Sequence, residues 1–211
     1  EPPKSDTLDS YELGKKHAEN FLKALNARKD ELYSYLDSSK DDNGLTIPDR
    51  LLGMFDTNNA EIKEYNFLHK TSENNAESLQ KNGFDSDKIN KTNYGPGFYV
   101  GISEGALLIY SGVKMQVKYK GNTVQGKDLS EYDRIKSDTV NKLMKYLDLK
   151  PDFSNRFIMN EVEAFGKFIN EYSRKTIVEN GIDGAWASGS EGYFVIFNPA
   201  SIKEIKQATN N

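Results

Sequence analysis

The stretch NFLHKTSENNAESLQKNGFDSDKINKTNYGPGFYVGISEGALLIYSG, residues 66–112, decides how the chain is read. It completes the run IKEYNFLHKT, whose β-branched and aromatic residues predict a strand over 62–68 with His69 at its end. SENNAESLQKNG then predicts a short helix, with Ser72 as its N-cap and Gly83 as its C-terminal stop. Gly95-Pro96-Gly97 marks a tight turn, GFYVG a strand behind it, and SEGALLIYSG a helix from Ser103 to near Gly112. A histidine at a strand end is either bonded to local backbone or part of a site, and position alone leaves both open. The glycines before Tyr99 argue for close backbone approach to a neighbour.

On the N-terminal side, Tyr11, Ala18, Phe21, Leu22 and Leu25 recur at helical spacing and predict a helix over 8–37. SSKDDNG is a loop by composition, and TIPDRLLGMF begins a short helix with Pro48 in its first turn. Residues 1–58 thus form a helical N-terminal lobe, and 59–211 a core. On the C-terminal side, VKMQVKYKG alternates as a half-buried strand. Residues 128–180 are helical, with Val162, Phe165, Phe168, Ile169 and Tyr172 as the apolar face, and 128–172 read as an insertion in the core. GIDGAWA and EGYFVIFNP are two short strands, and SIKEIKQ extends the second or adds another. Helices, strands, helices and strands in succession imply an α+β fold with an antiparallel sheet.

Of 211 residues 36% are apolar, with 12 Tyr, 11 Phe and 1 Trp, enough for a core that aromatic rings dominate. The net charge of −4 lacks the basic footprint of a nucleic-acid binder and fits a partner with a basic face. No cysteine is present, so disulfides and thiolate chemistry are excluded. Two histidines without cysteine make a conventional zinc site improbable, and no metal is expected. The glycine-rich nucleotide loops, a His-Glu-x-x-His helix and a Gly-x-Ser-x-Gly elbow are missing from the sequence. His17 reads as a solvated histidine of a surface helix. No apolar run approaches membrane-spanning length, and EPPKSDT lacks the basic and apolar regions of a signal peptide, as a mature start would.

Three segments in order resemble the ADP-ribosyltransferase superfamily, on its His-Tyr-Glu branch (the diphtheria-toxin and poly-ADP-ribose-polymerase type). Leu68-His69-Lys70-Thr71 followed by Asn82-Gly83-Phe84 is similar to the first motif, with Lys70 in place of the usual Gly. Gly95-Pro96-Gly97-Phe98-Tyr99-Val100 is similar to the second, and Tyr110 follows Tyr99 at the family's spacing of eleven. Val195-Ile196-Phe197-Asn198-Pro199-Ala200-Ser201-Ile202 is similar to the third. The resemblance implies a split antiparallel β-sandwich core that cleaves NAD, its co-substrate, and transfers one ADP-ribose to a protein.

In that resemblance His69 bonds the adenosine ribose, the Lys70 backbone meets the nicotinamide amide, and Thr71 orients His69 or caps the helix. Tyr99 and Tyr110 sandwich the nicotinamide ring. The family's catalytic acid falls on Tyr193, with Glu191 two residues earlier and on the same strand face. Either residue fills the third catalytic place. A compact chain with no accessory domain implies a secreted bacterial toxin or effector, monomeric, acting on a host protein, ubiquitin being one candidate. No nucleic acid or membrane partner is implied. The alternative is a catalytically inactive domain of the same fold that serves as a binding module, which the departures at Lys70 and Tyr193 would suit.

Overall fold

The computed structural model describes residues 6–85, 95–103, 105–107, 111–149, 156–187 and 192–208. The helices are α1 (Asp6–Ala27), α2 (Lys29–Ser38), α3 (Ile47–Gly53), α4 (Glu73–Asn82), α5 (Glu131–Tyr146) and α6 (Arg156–Glu179). The strands are β1 (Phe55–Thr71), β2 (Phe98–Gly101), β3 (Val113–Gly126), β4 (Gly184–Trp186), β5 (Tyr193–Ile196) and β6 (Ile202–Gln207). The fold is mixed α and β. Among the described residues no helix is long and apolar enough to cross a membrane.

The chain forms two compact units, Glu1–Pro48 with Arg134–Tyr172, and Asp49–Asp133 with Ser173–Asn211. The expected N-terminal lobe and helical insertion therefore belong mostly to one body, and β1 starts at Phe55, ahead of the expected boundary at 58. Within the helical unit Tyr33 packs on Phe168 and Tyr172, and Phe21 meets Phe165 edge-on. The Tyr172 hydroxyl donates to Asp37 at 2.7 Å and the Tyr146 hydroxyl to Glu31 at 2.6 Å. Arg28 also bonds Glu31, and these two partners hold its carboxyl down at about 2. The expected single helix over 8–37 breaks at Arg28, where no Gly or Pro announces it. Tyr11 and Val162, expected on apolar faces, are exposed, whereas Phe165, Phe168, Ile169 and Tyr172 are buried as their spacing implies. His17 is paired, its Nε2 lying 3.2 Å from Glu161.

The strand unit is built on one sheet that closes on itself in a barrel-like way. Its order is β1-β2-β5-β4-β3-β6, and β1 also pairs along β3. It contains two antiparallel groups, β1-β3-β6 and β2-β5-β4. Short seams join them: a single pair, Leu68 with Gly101, between β1 and β2, and a three-residue parallel stretch between β3 and β4. Alternation sends Phe67, Phe98, Val100, Val117, Tyr119, Phe194 and Ile196 inward to one cluster. Phe67 stacks on Phe194 with centroids 4.7 Å apart, and Trp186 meets Phe194 edge-on. Such pairs contribute about 0.5–1.5 kcal/mol each beyond their buried area.

Three local readings hold. α4 is capped by Ser72, whose hydroxyl accepts from the Asn75 N–H, and ends at Gly83 with φ +74°. β3 alternates buried and exposed residues, and SIKEIKQ forms a further strand. The expected helix from Ser103 is a short 3-10 turn, Gly105–Leu107, in its described part.

β3 changes neighbours along its length, from β6 over Met115–Tyr119 to β4 over Thr123–Gln125. Asp183 sits at the change. Its carboxylate accepts from the Asn122 N–H at 2.7 Å and the Asn198 side-chain amide at 2.6 Å. Its carbonyl accepts from the Phe197 and Asn198 N–H groups. Loss of this carboxylate leaves two donors unpaired in a half-buried place, where hydrogen bonds to charged groups are strong. Asp183→Ala is expected to lower urea-unfolding stability by about 2–4 kcal/mol, with α-helical circular dichroism retained below the transition.

Candidate active site

The expected site residues that the structure describes gather at the β1–β2 seam. Leu68–Gly101 is the one β1–β2 pair among the described residues, and past it lies the Tyr99 carbonyl. The His69 imidazole takes it, with Nδ1 2.8 Å from the Tyr99 oxygen. A carbonyl only accepts, so Nδ1 carries the proton. Burial lowers the His69 pKa, a shift that the bond to Tyr99 partly offsets. The neutral ring then presents Nε2 as an acceptor, and none of the described residues bonds to it.

Lys70 faces the same seam with its backbone. It stands opposite Lys114, whose carbonyl is bonded on the far edge of β3 by the Ala208 N–H at 2.8 Å. A residue in an antiparallel strand directs its N–H and C=O to one edge, so Lys70 and Lys114 form a non-hydrogen-bonded pair. The Lys70 N–H and C=O therefore point away from β3, toward β2. There the matching carbonyl, that of Tyr99, is already bonded by His69. A donor and an acceptor side by side on one residue, both directed away from β3, are complementary to a carboxamide. The lysine side chain lies on the outer face of the sheet, clear of this edge.

His69 meets the backbone of Tyr99 and not its ring. The pleat puts His69 on the inner face with Phe98 and Val100, and Tyr99 on the outer face with Val195 and Tyr193. The ring centroids of His69 and Phe98 are 4.5 Å apart, and Phe84 packs on Phe98 at 5.0 Å. This row gives the Gly83-Phe84 motif a physical role: Phe84 buttresses the ring under His69. The Tyr99 hydroxyl donates to the Gly95 carbonyl at 2.8 Å, which fixes the ring over its own turn.

Gly97 is explained by packing on β5. A Cβ there would collide with the Val195 side chain and lie 2.8 Å from the Ile196 carbonyl. The close approach expected from the glycines is thus to a strand. Thr71 was expected to orient His69 or cap α4, but the Tyr99 carbonyl does the first and Ser72 the second. The Thr71 carbonyl instead packs against Gly112, which has φ +116° and no room for a side chain. Tyr193 opens β5 opposite Gly101, half-buried, its carbonyl accepting from Ala187 at 3.1 Å. Glu191 and Tyr110 lie outside the described residues. The next residue, Gly192, has φ +92° and accepts at its carbonyl from the Ile102 N–H. Among the described residues no cluster of three or more His, Asp or Glu is placed to hold a metal.

Comparison with protein-family models, with curated proteins and with solved structures finds no match.

The lowered His69 pKa has a consequence for stability. Between the folded pKa and the unfolded value of about 6.5, the unfolded chain binds a proton that the native chain does not. Stability is therefore full above that window and falls as pH drops through it. Urea midpoints measured from pH 7.5 down to pH 5 are expected to decline less in His69→Gln than in the wild type. Parallel declines would remove His69 as the source.

Proposed function

We propose that the chain is a mono-ADP-ribosyltransferase that cleaves NAD and passes ADP-ribose to a protein. The observation that carries this reading is the edge of Lys70. Its N–H and C=O, directed away from β3, suit the carboxamide of nicotinamide, beside a histidine whose Nε2, bonded by no described residue, suits a ribose hydroxyl. The order of the three motifs supports it. So does a sheet of two antiparallel groups parted at the β1–β2 seam, the arrangement a split β-sandwich with a cleft would have. The source is a secreted bacterial toxin or effector, and the target a host protein, with ubiquitin one candidate.

NAD cleavage develops positive charge at the nicotinamide-ribose carbon. The Lys70 backbone fixes the leaving amide, and His69 fixes the far ribose from Nε2, holding the reacting bond in one orientation. Tyr99, pinned by Gly95, limits movement of the nicotinamide from the β2 side, and Tyr110 supplies the second ring. Glu191 stabilises the developing charge through the ribose hydroxyl, because a carboxylate accepts that hydrogen bond more strongly than a phenol. Tyr193 lines the slot or meets the acceptor.

One feature favours a second reading, a binding module without turnover. Tyr193 opens β5 where the family's acid would stand. Calorimetry with NAD together with an assay for released nicotinamide separates the two: binding without release identifies the module.

Two sets of variants test the transferase reading. Lys70→Pro removes the N–H that faces the seam, a position where the β1–β3 ladder does not need it, while it also fixes φ and keeps His69 extended. It is expected to abolish nicotinamide release while circular dichroism and thermal unfolding stay near wild type. Lys70→Gly and Lys70→Ala should keep the activity, and a loss in Lys70→Ala equal to that in Lys70→Pro would count against the backbone role.

Glu191→Gln is expected to slow transfer by about a hundredfold to a thousandfold, with little change in NAD affinity. A near-normal Glu191→Gln beside a crippled Tyr193→Phe would assign the third place to the tyrosine.

A further inference from the structure

We propose that the open edge of β6 pairs the chain with a second copy of itself, strand to antiparallel strand, about a two-fold axis at Ile205. β6 bonds β3 on one side, and among the described residues no strand pairs with it on the other. The Ala208 N–H donates to the Lys114 carbonyl at 2.8 Å, one step beyond the Met115–Gln207 pair. Lys206 with Gln116 and Glu204 with Lys118 are therefore the hydrogen-bonded pairs of this ladder, and Ile205 and Gln207 belong to the other kind. Ile205 and Gln207 thus direct their N–H and C=O groups to the open edge. An exposed row of this kind is a template for another strand.

Charged side chains on an edge strand guard against such addition. On β6 their order favours one register instead. The strand reads Lys203-Glu204-Ile205-Lys206-Gln207. An antiparallel copy centred on Glu204 or on Lys206 sets that residue against itself, and like charges directly opposite are unfavourable. Centred on Ile205, it sets Glu204 against Lys206 of the second copy, twice by symmetry. Within each strand Glu204 already pairs with Lys206 at 3.4 Å, so the two copies close a ring of alternating charges on the outer face. The same register makes Ile205 and its symmetry mate a hydrogen-bonded pair. Their side chains meet on the inner face, where Ile205 lies half-buried against the aromatic cluster.

Pairing through β6 joins two β1-β3-β6 groups into one continuous sheet with a β1 strand at each margin. The two seams lie at those margins, five strand spacings or roughly 24 Å apart, and within the sheet the new contact covers neither. The dimer is therefore compatible with the transferase reading and independent of it. It departs from the monomer that the resemblance implies. One strand pair is a small contact beside that of an obligate dimer, so association is expected in the micromolar range.

The test is sedimentation velocity of the full chain from micromolar to near-millimolar concentration. A monomer–dimer equilibrium is expected, weaker at high salt because exposed charges are screened. Glu204→Lys and Lys206→Glu should each raise the dissociation constant by about tenfold or more, since each sets like charges opposite. Mixed together, these two variants should associate with each other more tightly than either does with itself, because the reversed charges then face opposite ones. The double variant Glu204→Lys/Lys206→Glu should recover association near that of the wild type. Lys127→Glu, a reversal outside the strand, should leave it unchanged. Thermal unfolding shows that each variant folds, and Lys206→Glu decides alone where Glu204→Lys disturbs the Lys118 pair. A chain that stays monomeric throughout, a dimer indifferent to the single reversals, or a folded double variant that does not recover would each overturn the proposal. Nicotinamide release is measured in parallel. Its absence would defeat the transferase reading and leave the dimer standing.

Discussion

The carboxylate of Asp183 holds the point at which β3 changes neighbours, and the closure of the sheet depends on it. A strand has two edges. β1 occupies one edge of β3, while β6 and β4 divide the other. Between them, at Gly121 and Asn122, the β3 backbone would have no partner on that edge. Asp183 supplies one, both accepting from Asn122 and donating its own N–H to the Asn122 carbonyl at 3.0 Å. The same residue receives β5 as it ends, through Phe197 and Asn198. Gly121 lets the knot form, since a Cβ there would lie 2.7 Å from the Asp183 Cβ and 2.6 Å from the Ser201 hydroxyl.

Closing a sheet this way fixes where it is weak. With β3 and β4 tied at the Asp183 end, β2 and β5 reach β1 only at its C-terminal end, through Leu68 and Gly101. The strands diverge from that pair. Unmet backbone groups at a divergence must be satisfied by side chains, water or ligand. His69 satisfies one, the Tyr99 carbonyl, and so acquires a fixed tautomer. Lys70 directs its own pair of groups to the same edge. The seam is thus the part of the sheet where backbone groups face away from the main ladder, which is why the proposed ligand contacts are largely main-chain and depend little on the side chain at residue 70.

The local elements were legible because local chemistry makes them. Ser72 caps α4, Gly83 ends it, and the alternation of VKMQVKYKG is the burial pattern of β3. The closeness of His69 to Tyr99 could be read only through the resemblance. The Asp183–Asn122 contact spans 61 residues and joins two polar residues that turn composition alone would assign to loops. No periodicity carries that information. The single-sheet closure was missed for the same reason, since it rests on one pair and a three-residue parallel contact. The break at Arg28 was missed because neither Gly nor Pro marks it, and the Arg28–Glu31 pair at 2.7 Å beside it is of a kind that continuous helices also carry. The Gly-Pro-Gly turn was recognised as a close approach, but sequence could not say that the neighbour was Val195 and Ile196.

The end of β1 shows how one strand terminus can present groups in three directions. Successive side chains point to opposite faces, and the backbone points along the edge. At residues 69 and 70 this gives three separate directions: an imidazole inward, an ammonium outward, and an N–H with a C=O toward the seam. In the proposed reading the imidazole meets a ribose hydroxyl and the backbone groups a carboxamide. None of the three competes with another for space, so each can change without loss of the rest. The inward direction is the least free, because His69 is packed on Phe98 and bonded to Tyr99. The outward one is the freest, because a lysine side chain on an exposed sheet face has few packing demands. The fold therefore asks little of the side chain at residue 70, while the backbone of the same residue holds the edge on which the proposed carboxamide contact depends.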